Sequence, residues 1–159
     1  VFSAPDEPCM IKANQTEISQ VLINLCTNSV YAMEDEPGTI EISLNMIEHL
    51  HSKISDFPDL KSGKYAELVI ADTGCGIEPW ISKRMFDPYF TTKAIGQGVG
   101  MGLAVVHGII KGHKGFIAVQ SKKGQGTRVT IHLPLIESEP SSRIEMIKSA
   151  PQKKIDQNR

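Results

Sequence analysis

Apolar side chains recur at helical spacing in two stretches of the chain. The first stretch follows Asn14 and ends before a Pro-Gly pair at positions 37 and 38, with apolar residues at Ile18, Val21, Leu22, Leu25, Ala32 and Met33. Asn14, with Glu17 three residues later, is typical of a helix N-cap in a variant of the capping box. The second stretch begins at Leu103 and stops near Gly112. The pattern therefore predicts two long helices, each with one buried face.

Other stretches alternate between apolar and polar residues, which predicts strands. The clearest runs from Ile40 to Met46, and another, residues 68–72, leads into a glycine-containing turn. A short strand is predicted over residues 9–13, and Phe116–Ser121 with residues 127–133 forms a predicted last hairpin. In the final strand we expect Val129, Ile131 and Leu133 to face inward and Arg128, Thr130 and His132 to face outward.

These elements together predict the fold class. Alternating strands joined by turns are typical of an antiparallel or mixed sheet with one face open to solvent. The two long helices would cover the other face. We therefore expect an α/β (α+β) two-layer sandwich and not a doubly wound fold.

The connecting segments divide the chain into one domain and a tail. Residues 48–64 are polar and include Pro58 and Gly63, which predicts a long solvated hairpin connection. Residues 79–85 predict a short helix. After Leu135 the composition shifts to Ser, Glu, Lys, Gln and Pro. We expect one domain over residues 1–135 and a polar tail or linker over residues 136–159, with one helical turn near residues 144–148.

Bulk composition excludes several classes of partner. The 159 residues are 40% apolar and 22% charged with a net charge of −1, which offers no electrostatic basis for binding nucleic acid. No apolar run reaches the roughly 20 residues of a membrane span and no signal peptide opens the chain, so we expect no membrane contact by this domain. The cysteines form no Cys-x-x-Cys pair, which indicates reduced thiols in the cytoplasm. Because the first residue is Val, we expect this sequence to be a fragment or a processed chain. That expectation leaves open a membrane anchor elsewhere in the parent protein.

Nine of the thirteen glycines lie between Gly96 and Gly126, and four of these occupy every second position from Gly96 to Gly102. Such spacing suits neither a helix nor a strand, since glycine there costs roughly 0.5–1 kcal/mol relative to alanine. It does let the backbone approach another group closely. The run leads into the second predicted helix, whose N-terminus presents unpaired N–H groups and positive dipole. The combination predicts a phosphate-binding segment.

Two common nucleotide motifs do not fit this run. A Rossmann Gly-x-Gly-x-x-Gly follows a strand directly within a βαβ unit, whereas Thr-Thr-Lys and aromatic residues precede the run here. A Walker A loop needs Gly-Lys-Ser or Gly-Lys-Thr, and the nearest match, Gly63-Lys64-Tyr65, lacks the hydroxyl at the last position.

Two polar features have both a functional and a plain structural interpretation. Asn24 and Asn28 lie four residues apart on one side of the first helix; their amide oxygens suit a phosphate-bound Mg²⁺, and they also fit as surface amides. Asp72 ends a strand, with Gly74 and Gly76 after it. Its carboxylate suits the amino group of adenine and would repel the carbonyl oxygen of guanine, and it equally fits a common strand-to-turn junction.

Residues 86–93, Phe-Asp-Pro-Tyr-Phe-Thr-Thr-Lys, concentrate three of the eight Phe and Tyr residues in five positions. An aromatic plug that anchors a loop on the core and a direct contact with a ligand are both open interpretations. Lys93 has the charge to contact phosphate, and it fits equally well as a solvated lysine.

Taken in order, these segments resemble the GHKL superfamily of ATPases and kinases. Asn24 and Asn28 resemble its N box, Asp-Thr-Gly-Cys-Gly-Ile at 72–77 its G1 box and residues 86–93 its F box. Gly-Val-Gly-Met-Gly-Leu at 98–103 is similar to its G2 box, and Gly-Gln-Gly-Thr at 124–127 to its last glycine motif. The amino-acid sequence of the F box is similar to that of sensor histidine kinases. The resemblance covers residues 9–135.

The resemblance implies the Bergerat fold, with ATP and Mg²⁺ bound between the sheet, the two helices and a mobile lid over about residues 92–100. It implies that Asp72 accepts a hydrogen bond from the adenine amino group, with Thr127 assisting. It also implies two catalytic residues, Asn28 as the Mg²⁺ ligand and Asn24 as a phosphate contact. The remaining implied ATP contacts are Gly74, Gly76, Ile77, Phe90, Lys93, Gly98, Val99, Gly100, Met101, Gly102 and Leu103.

Three departures from the family pattern matter. Tyr31 stands where many members carry a phosphate-contacting Lys or Arg, so that Lys93 would supply the charge. Val99 and Met101 replace the frequent Thr and Leu but keep the glycines. No segment resembles the His-Glu/Asp-x-x-x-Pro helix that accepts the phosphoryl group, and all five histidines lack that context: His49, His51, His107, His113 and His132.

The implied function is that of the catalytic domain of a sensor histidine kinase in a two-component phosphorelay. Its implied partners are a separate phosphoacceptor and dimerisation domain and, indirectly, a response regulator or receiver domain. Three alternatives remain: an ATP-hydrolysing member, a nucleotide-sensing module without transfer chemistry, and a serine-directed kinase. Hydrolysing members place a Glu where Asn24 stands, and an amide cannot remove a proton from water.

Overall fold

The computed structural model describes residues 1–34, 37–49, 61–92 and 100–136. Within them, five strands and three helices follow one another along the chain. Their bounds are β1 (Phe2–Ser3), α1 (Gln15–Ala32), β2 (Ile40–His49), β3 (Gly63–Asp72), α2 (Pro79–Ser82), α3 (Gly102–Gly112), β4 (Phe116–Ser121) and β5 (Thr127–Pro134). The sheet order is β1-β2-β3-β5-β4, with β1 parallel to β2 and the other neighbours antiparallel. The predicted mixed sheet and fold class are confirmed.

The core is built from rows of side chains that run across four strands. One row joins Val119, Val129, Ile70 and Ile42, and the next joins Ile117, Ile131, Leu68 and Leu44. The buried faces of α1 and α3 pack on these rows through Val21, Leu25, Val106 and Ile110. Both rows are wholly apolar, so their burial supplies most of the driving force for placing the helices on this face.

The row at the end of the sheet is different, because it carries three polar side chains. Ser121 of β4, Thr127 of β5 and Asp72 of β3 are paired in register, and Ile40 of β2 completes the row. The same periodicity that directs the apolar residues toward the helices directs these three side chains to that face. A polar edge therefore borders the core at the point where β3 ends.

Helix α1 begins after the predicted N-cap residue, Asn14. The backbone N–H of Asn14, however, has a different partner from the one that a capping box supplies. The Asn14 side chain accepts hydrogen bonds from the backbone N–H groups of Thr16 and Glu17, at 2.9 and 3.3 Å. In a capping box the Glu17 side chain would return a bond to the Asn14 N–H. That N–H instead donates to Nε2 of His113, at the end of α3, over 3.1 Å. The cap thus joins the start of α1 to the end of α3.

The outward face of the sheet is not open over its whole length, which corrects one expectation. His132 does lie on that face, but only 1% of it is exposed, and its Nε2 lies 3.0 Å from the Glu67 carboxylate. Tyr65 and Val69 are also buried there. Burial, together with the nearby His132, lowers the pKa of His49 at the edge of this cluster, while Glu67 acts in the opposite direction. Alternation predicts the direction of a side chain but not whether other side chains cover it.

Two predicted elements are wrong in position or length. Residues 9–13 form no strand; Ile11 makes a single bridge to Leu135, and the strand beside β2 comes earlier, at Phe2–Ser3. Pro5 and Pro8 lie between β1 and residues 9–13 and lack the backbone N–H that a ladder requires, so β1 does not continue into this segment. The helix predicted over residues 79–85 ends at Ser82.

Other predictions lie partly beyond what the structure describes. The connection over residues 48–64 is described only at its ends, where β2 extends to His49 and β3 begins at Gly63. The helical turn near residues 144–148 falls outside the described residues, as does the rest of the tail after Ile136. Within the described ranges, no helix is both long enough and apolar enough to span a membrane.

Two glycines in the β4–β5 turn predict a graded loss of stability on substitution by alanine. Gly124 and Gly126 both have positive φ, at 75° and 81°, yet a methyl group at Gly124 meets nothing within 4 Å, whereas one at Gly126 would lie 2.0 Å from the Asp72 carbonyl oxygen. Gly124→Ala should cost about 1 kcal/mol from the left-handed backbone alone. Gly126→Ala should cost about 3–4 kcal/mol, because β3 and β5 must also separate. Urea unfolding of the two variants measures the difference, and equal losses would contradict the packing at Gly126.

Candidate functional site

Asp72, the last residue of β3, organises the polar edge of the sheet. Its Oδ1 accepts hydrogen bonds from the backbone N–H of Gly74 at 3.0 Å and of Thr127 at 3.1 Å. Its Oδ2 accepts one from the hydroxyl of Ser29, a buried residue of α1, at 2.8 Å. Three separate segments, α1, the loop after β3 and the start of β5, therefore donate to one carboxylate. Charge-assisted bonds of this kind hold the carboxylate in one orientation.

The loop after β3 is clamped between α1 and the β4–β5 turn. A methyl group at Gly74 would lie 2.6 Å from the Ala32 carbonyl oxygen, and one at Gly76 would lie 2.1 Å from the Lys122 carbonyl oxygen. Gly76 also has a φ of +69°. The Cys75 N–H donates to the Ala32 carbonyl at 2.9 Å, and the Cys75 carbonyl accepts from Gly124 at 2.7 Å. Only glycine permits this approach of backbones on both sides of the loop.

An exposed ion pair also links the loop after β3 to the β4–β5 turn. Glu78, just after the loop, pairs with Lys123 of the β4–β5 turn. The hydrogen bond to Glu78 and its negative charge raise the pKa of Lys123. Both side chains are substantially exposed, so solvent screens the pair and its contribution to stability is small.

Ser121 joins three parts of this edge through one hydroxyl group. Its Oγ accepts from the backbone N–H of Ile77 at 2.8 Å, lies 2.9 Å from the Gly126 carbonyl oxygen, and lies 2.9 Å from the Thr127 hydroxyl. The loop, the turn and β5 thus meet at a side chain of β4. Of the predicted site residues, Asp72, Gly74, Gly76, Ile77 and Thr127 are all brought together here.

The other predicted cluster lies at the N-terminus of α3. A methyl group at Gly102 would lie 3.5 Å from Oδ1 of Asn24, so this amide faces the first residue of the helix. Met101 at the N-cap makes no side-chain capping bond, and the first backbone bond of the helix runs from Val105 to Met101. The first N–H groups of α3 therefore have no intrahelical acceptor. Asn28 lies half-buried one turn further along α1, on the same side as Asn24.

Helix α1 connects the two clusters. Ser29, which binds Asp72, follows Asn24 by five residues, which is about 7.5 Å along a helix axis. Val21, Leu25 and Ser29 form the buried stripe of α1, and the two asparagines stand beside that stripe. Packing of α1 on the core thereby sets the positions of both clusters at once.

The aromatic side chains of residues 86–90 contact the core, α3 and the segment next to the site. Phe86 packs on the core and lies 5.1 Å, ring to ring, from His107 of α3. Phe90 meets Trp80 edge-on, and the Arg84 guanidinium lies 4.7 Å from the centre of its ring. A methyl group at Gly100, which has a φ of +70°, would lie 2.8 Å from the Phe90 carbonyl oxygen. These contacts fit the interpretation of an aromatic plug that holds the segment before α3.

The remaining predicted site residues divide into two groups. Leu103 packs against the core, and Met101 occupies the N-cap position of α3. Lys93, Gly98 and Val99 lie outside the described residues, as does most of the predicted lid. Sequence reasoning missed Ser29 and Ser121. Each is a hydroxyl at an inward position, four residues after Leu25 on α1 and two after Val119 on β4, and that placement is the pattern that would have indicated them.

Comparisons with known proteins identify the family of the chain. The family model described as "Histidine kinase-, DNA gyrase B-, and HSP90-like ATPase" matches residues 13–137. The sensor kinase CckA of Brucella abortus (strain 2308) is 39% identical over 128 residues, which cover 80% of this chain and 13% of that protein. The sensor histidine kinase ZraS of Escherichia coli O157:H7 is 36% identical over 134 residues, which cover 84% of this chain and 25% of ZraS. The chain thus spans a quarter or less of these two relatives.

A solved structure extends the comparison to three dimensions. The catalytic domain of the histidine kinase ThkA, in a nucleotide-free form, superposes with a TM-score of 0.62 at 28% identity. The match covers 84% of this chain and 76% of the ThkA chain.

Proposed function

Because the chain belongs to the family of histidine kinase-, DNA gyrase B- and HSP90-like ATPases, we propose that it binds Mg-ATP and donates the γ-phosphate to a histidine on a separate phosphoacceptor and dimerisation domain. The phosphoryl group would then pass to a response regulator or receiver domain. The observation that carries the proposal is the Asp72 carboxylate, held by three protein donors at the end of β3.

The Asp72 carboxylate has room for one more donor. An ionised carboxylate offers about four acceptor positions. Oδ1 uses two of its positions on Gly74 and Thr127, and Oδ2 uses one on Ser29. One position on Oδ2 is left for a ligand, and the amino group of adenine supplies the N–H donor that it requires. A purine with a carbonyl oxygen at that place would be repelled.

The N-terminus of α3 is suited to the polyphosphate. Its unpaired N–H groups and positive dipole favour an anion, and the Asn24 amide faces the same point. The donor set also fits Mg²⁺, because Asn28 supplies an oxygen ligand of the kind that this ion prefers when it already holds phosphates. The bound ion would neutralise charge on the phosphates. Lys93, Gly98 and Val99 are proposed to contact them from the lid.

Transfer to histidine is favoured over hydrolysis by the residue at position 24. Asn24 has no basic group to remove a proton from water. Two of the described histidines are also unsuited to accept the phosphoryl group: His132 is buried against Glu67, and Nε2 of His113 already accepts from the Asn14 N–H. The nucleophile would be an imidazole of another domain, which attacks the γ-phosphorus as ADP leaves. This domain would contribute positioning and charge neutralisation.

The Asp72→Asn variant tests the base contact. Its amide oxygen can still accept from Gly74 and Thr127. Its NH2 group replaces Oδ2, so the Ser29 hydroxyl must turn to accept from it, and the NH2 group presents an N–H donor where adenine also presents one. We expect a Kd for ATP at least about 100-fold higher, or roughly 2.7 kcal/mol, with the fold intact. Calorimetry measures the affinity, and Glu41→Gln, an exposed carboxylate on the outward face, is the control. Unchanged affinity in Asp72→Asn would defeat the assignment.

The Asn28→Ala variant tests the metal ligand. We expect its Kd for ATP to rise about tenfold with Mg²⁺ present, or roughly 1.4 kcal/mol, and by less than about threefold in a chelator. Thr27→Ala, an exposed neighbour on α1, should change neither value. Equal losses with and without Mg²⁺ would remove the proposed metal role of Asn28.

Phosphotransfer itself is tested by mixing the protein with γ-labelled Mg-ATP and the phosphoacceptor domain of a related sensor kinase. We expect an acid-labile, base-stable label on the acceptor, as a phosphohistidine gives, and no label when its histidine is replaced. Steady phosphate release without the acceptor indicates an ATPase instead. Tight Mg-ATP binding without label indicates a nucleotide-sensing module, and an acid-stable label indicates a serine-directed kinase.

A further inference from the structure

We propose that Ser121 sets the base selectivity of this site, by holding the Thr127 hydroxyl so that it presents an acceptor and not a donor to the base. The inference rests on the proposed binding of ATP. Ser121 lies on β4, the strand at the edge of the sheet, and pairs in register with Thr127, which in turn pairs with Asp72. The three side chains form one polar row on the face that α1 and α3 cover.

The direction of the hydrogen bond between the two hydroxyls follows from counting protons. A serine hydroxyl has one proton to donate. The backbone N–H of Ile77 donates to Ser121 Oγ at 2.8 Å, and the Gly126 carbonyl, which can only accept, lies 2.9 Å away. If Ser121 gives its proton to Gly126, Thr127 must donate across the 2.9 Å between the hydroxyls. Only this arrangement makes hydrogen bonds of all three contacts.

The direction of this hydrogen bond determines which hydrogen-bonding groups Thr127 and Asp72 present to a ligand. With its proton committed to Ser121, the Thr127 oxygen has only lone pairs left to present, directly or through a water. Asp72 Oδ2 likewise has only an acceptor position left. Two neighbouring acceptors favour the amino group of adenine and disfavour the carbonyl oxygen of hypoxanthine at the same position. Without Ser121, the Thr127 hydroxyl could rotate and donate to such a carbonyl.

A purely structural role for Ser121 makes a different prediction. Its hydroxyl also binds Ile77 and the β4–β5 turn, so its loss loosens the loop that would contact any purine. Such loosening weakens ATP and inosine triphosphate by the same factor, since both share the purine ring skeleton, ribose and phosphates and differ only in the group at position 6 and the proton at N1. The ratio of the two affinities therefore separates base selection from support of the loop.

The experiment measures the Kd values of ATP and inosine triphosphate, with Mg²⁺, for the full chain and four variants. In Ser121→Ala we expect about a tenfold weaker affinity for ATP and a change of less than about threefold for inosine triphosphate. Thr127→Val should bring the Kd for ATP closer to the Kd for inosine triphosphate by a similar factor. Adding Ser121→Ala to Thr127→Val should change the ratio of these two Kd values no further. Ser121→Thr, which keeps a hydroxyl, should retain the original ratio.

Two controls keep the outcomes distinct. Ser43→Ala, on the outward face of β2, should leave both affinities unchanged, and thermal unfolding checks that each variant is folded. A ratio that is unchanged in Ser121→Ala, with either equal losses or none, overturns the selectivity role while leaving ATP binding intact. If the unmodified chain binds neither nucleotide, the proposed function itself fails.

Discussion

The carboxylate of Asp72 is the constraint on which the arrangement of the site depends. It stands at the end of the central strand, where the apolar rows of the core give way to a polar row, and its oxygens must be satisfied there. The donors come from Ser29, Gly74 and Thr127, which are 43, 2 and 55 residues away in sequence. Satisfying one group therefore fixes a helix, a loop and a strand relative to one another.

Local patterns predicted those parts of the fold that local chemistry determines. The alternation in β5 correctly placed Val129, Ile131 and Leu133 inward, and the Asn14 cap of α1 is where the sequence indicated. Tertiary contacts decided the rest. His132 is buried among side chains of other strands, which include the Glu67 carboxylate and the His49 and Tyr65 rings. The resemblance named most of the candidate site residues, but which ones meet depends on the pairing of β3, β4 and β5 and on the packing of α1. The inward positions of Ser29 and Ser121 follow from periodicity, whereas their partners follow only from these tertiary contacts.

The glycines of the candidate site serve two distinct physical purposes. Gly74, Gly76 and Gly126 permit backbones to approach so closely that a methyl group would lie between 2.0 and 2.6 Å from a carbonyl oxygen. These three lie around the Asp72 carboxylate, at the proposed base end of the site. A methyl group at Gly102 would instead lie 3.5 Å from the Asn24 amide oxygen, an ordinary contact distance. Packing therefore requires glycine near Asp72 but not at the start of α3.

Helix α1 would make the proposed base recognition and phosphate positioning interdependent. Ser29 holds the Asp72 carboxylate, proposed to bind the base, and Asn24, five residues earlier, faces the start of α3, proposed to bind phosphate. Between them, Leu25 anchors the helix in the core. A rotation of α1 by one residue, about 100°, would withdraw both polar contacts together and expose Leu25. The cost of exposing the apolar stripe therefore fixes the Ser29 and Asn24 side chains relative to each other, and with them the two ends of the proposed nucleotide site.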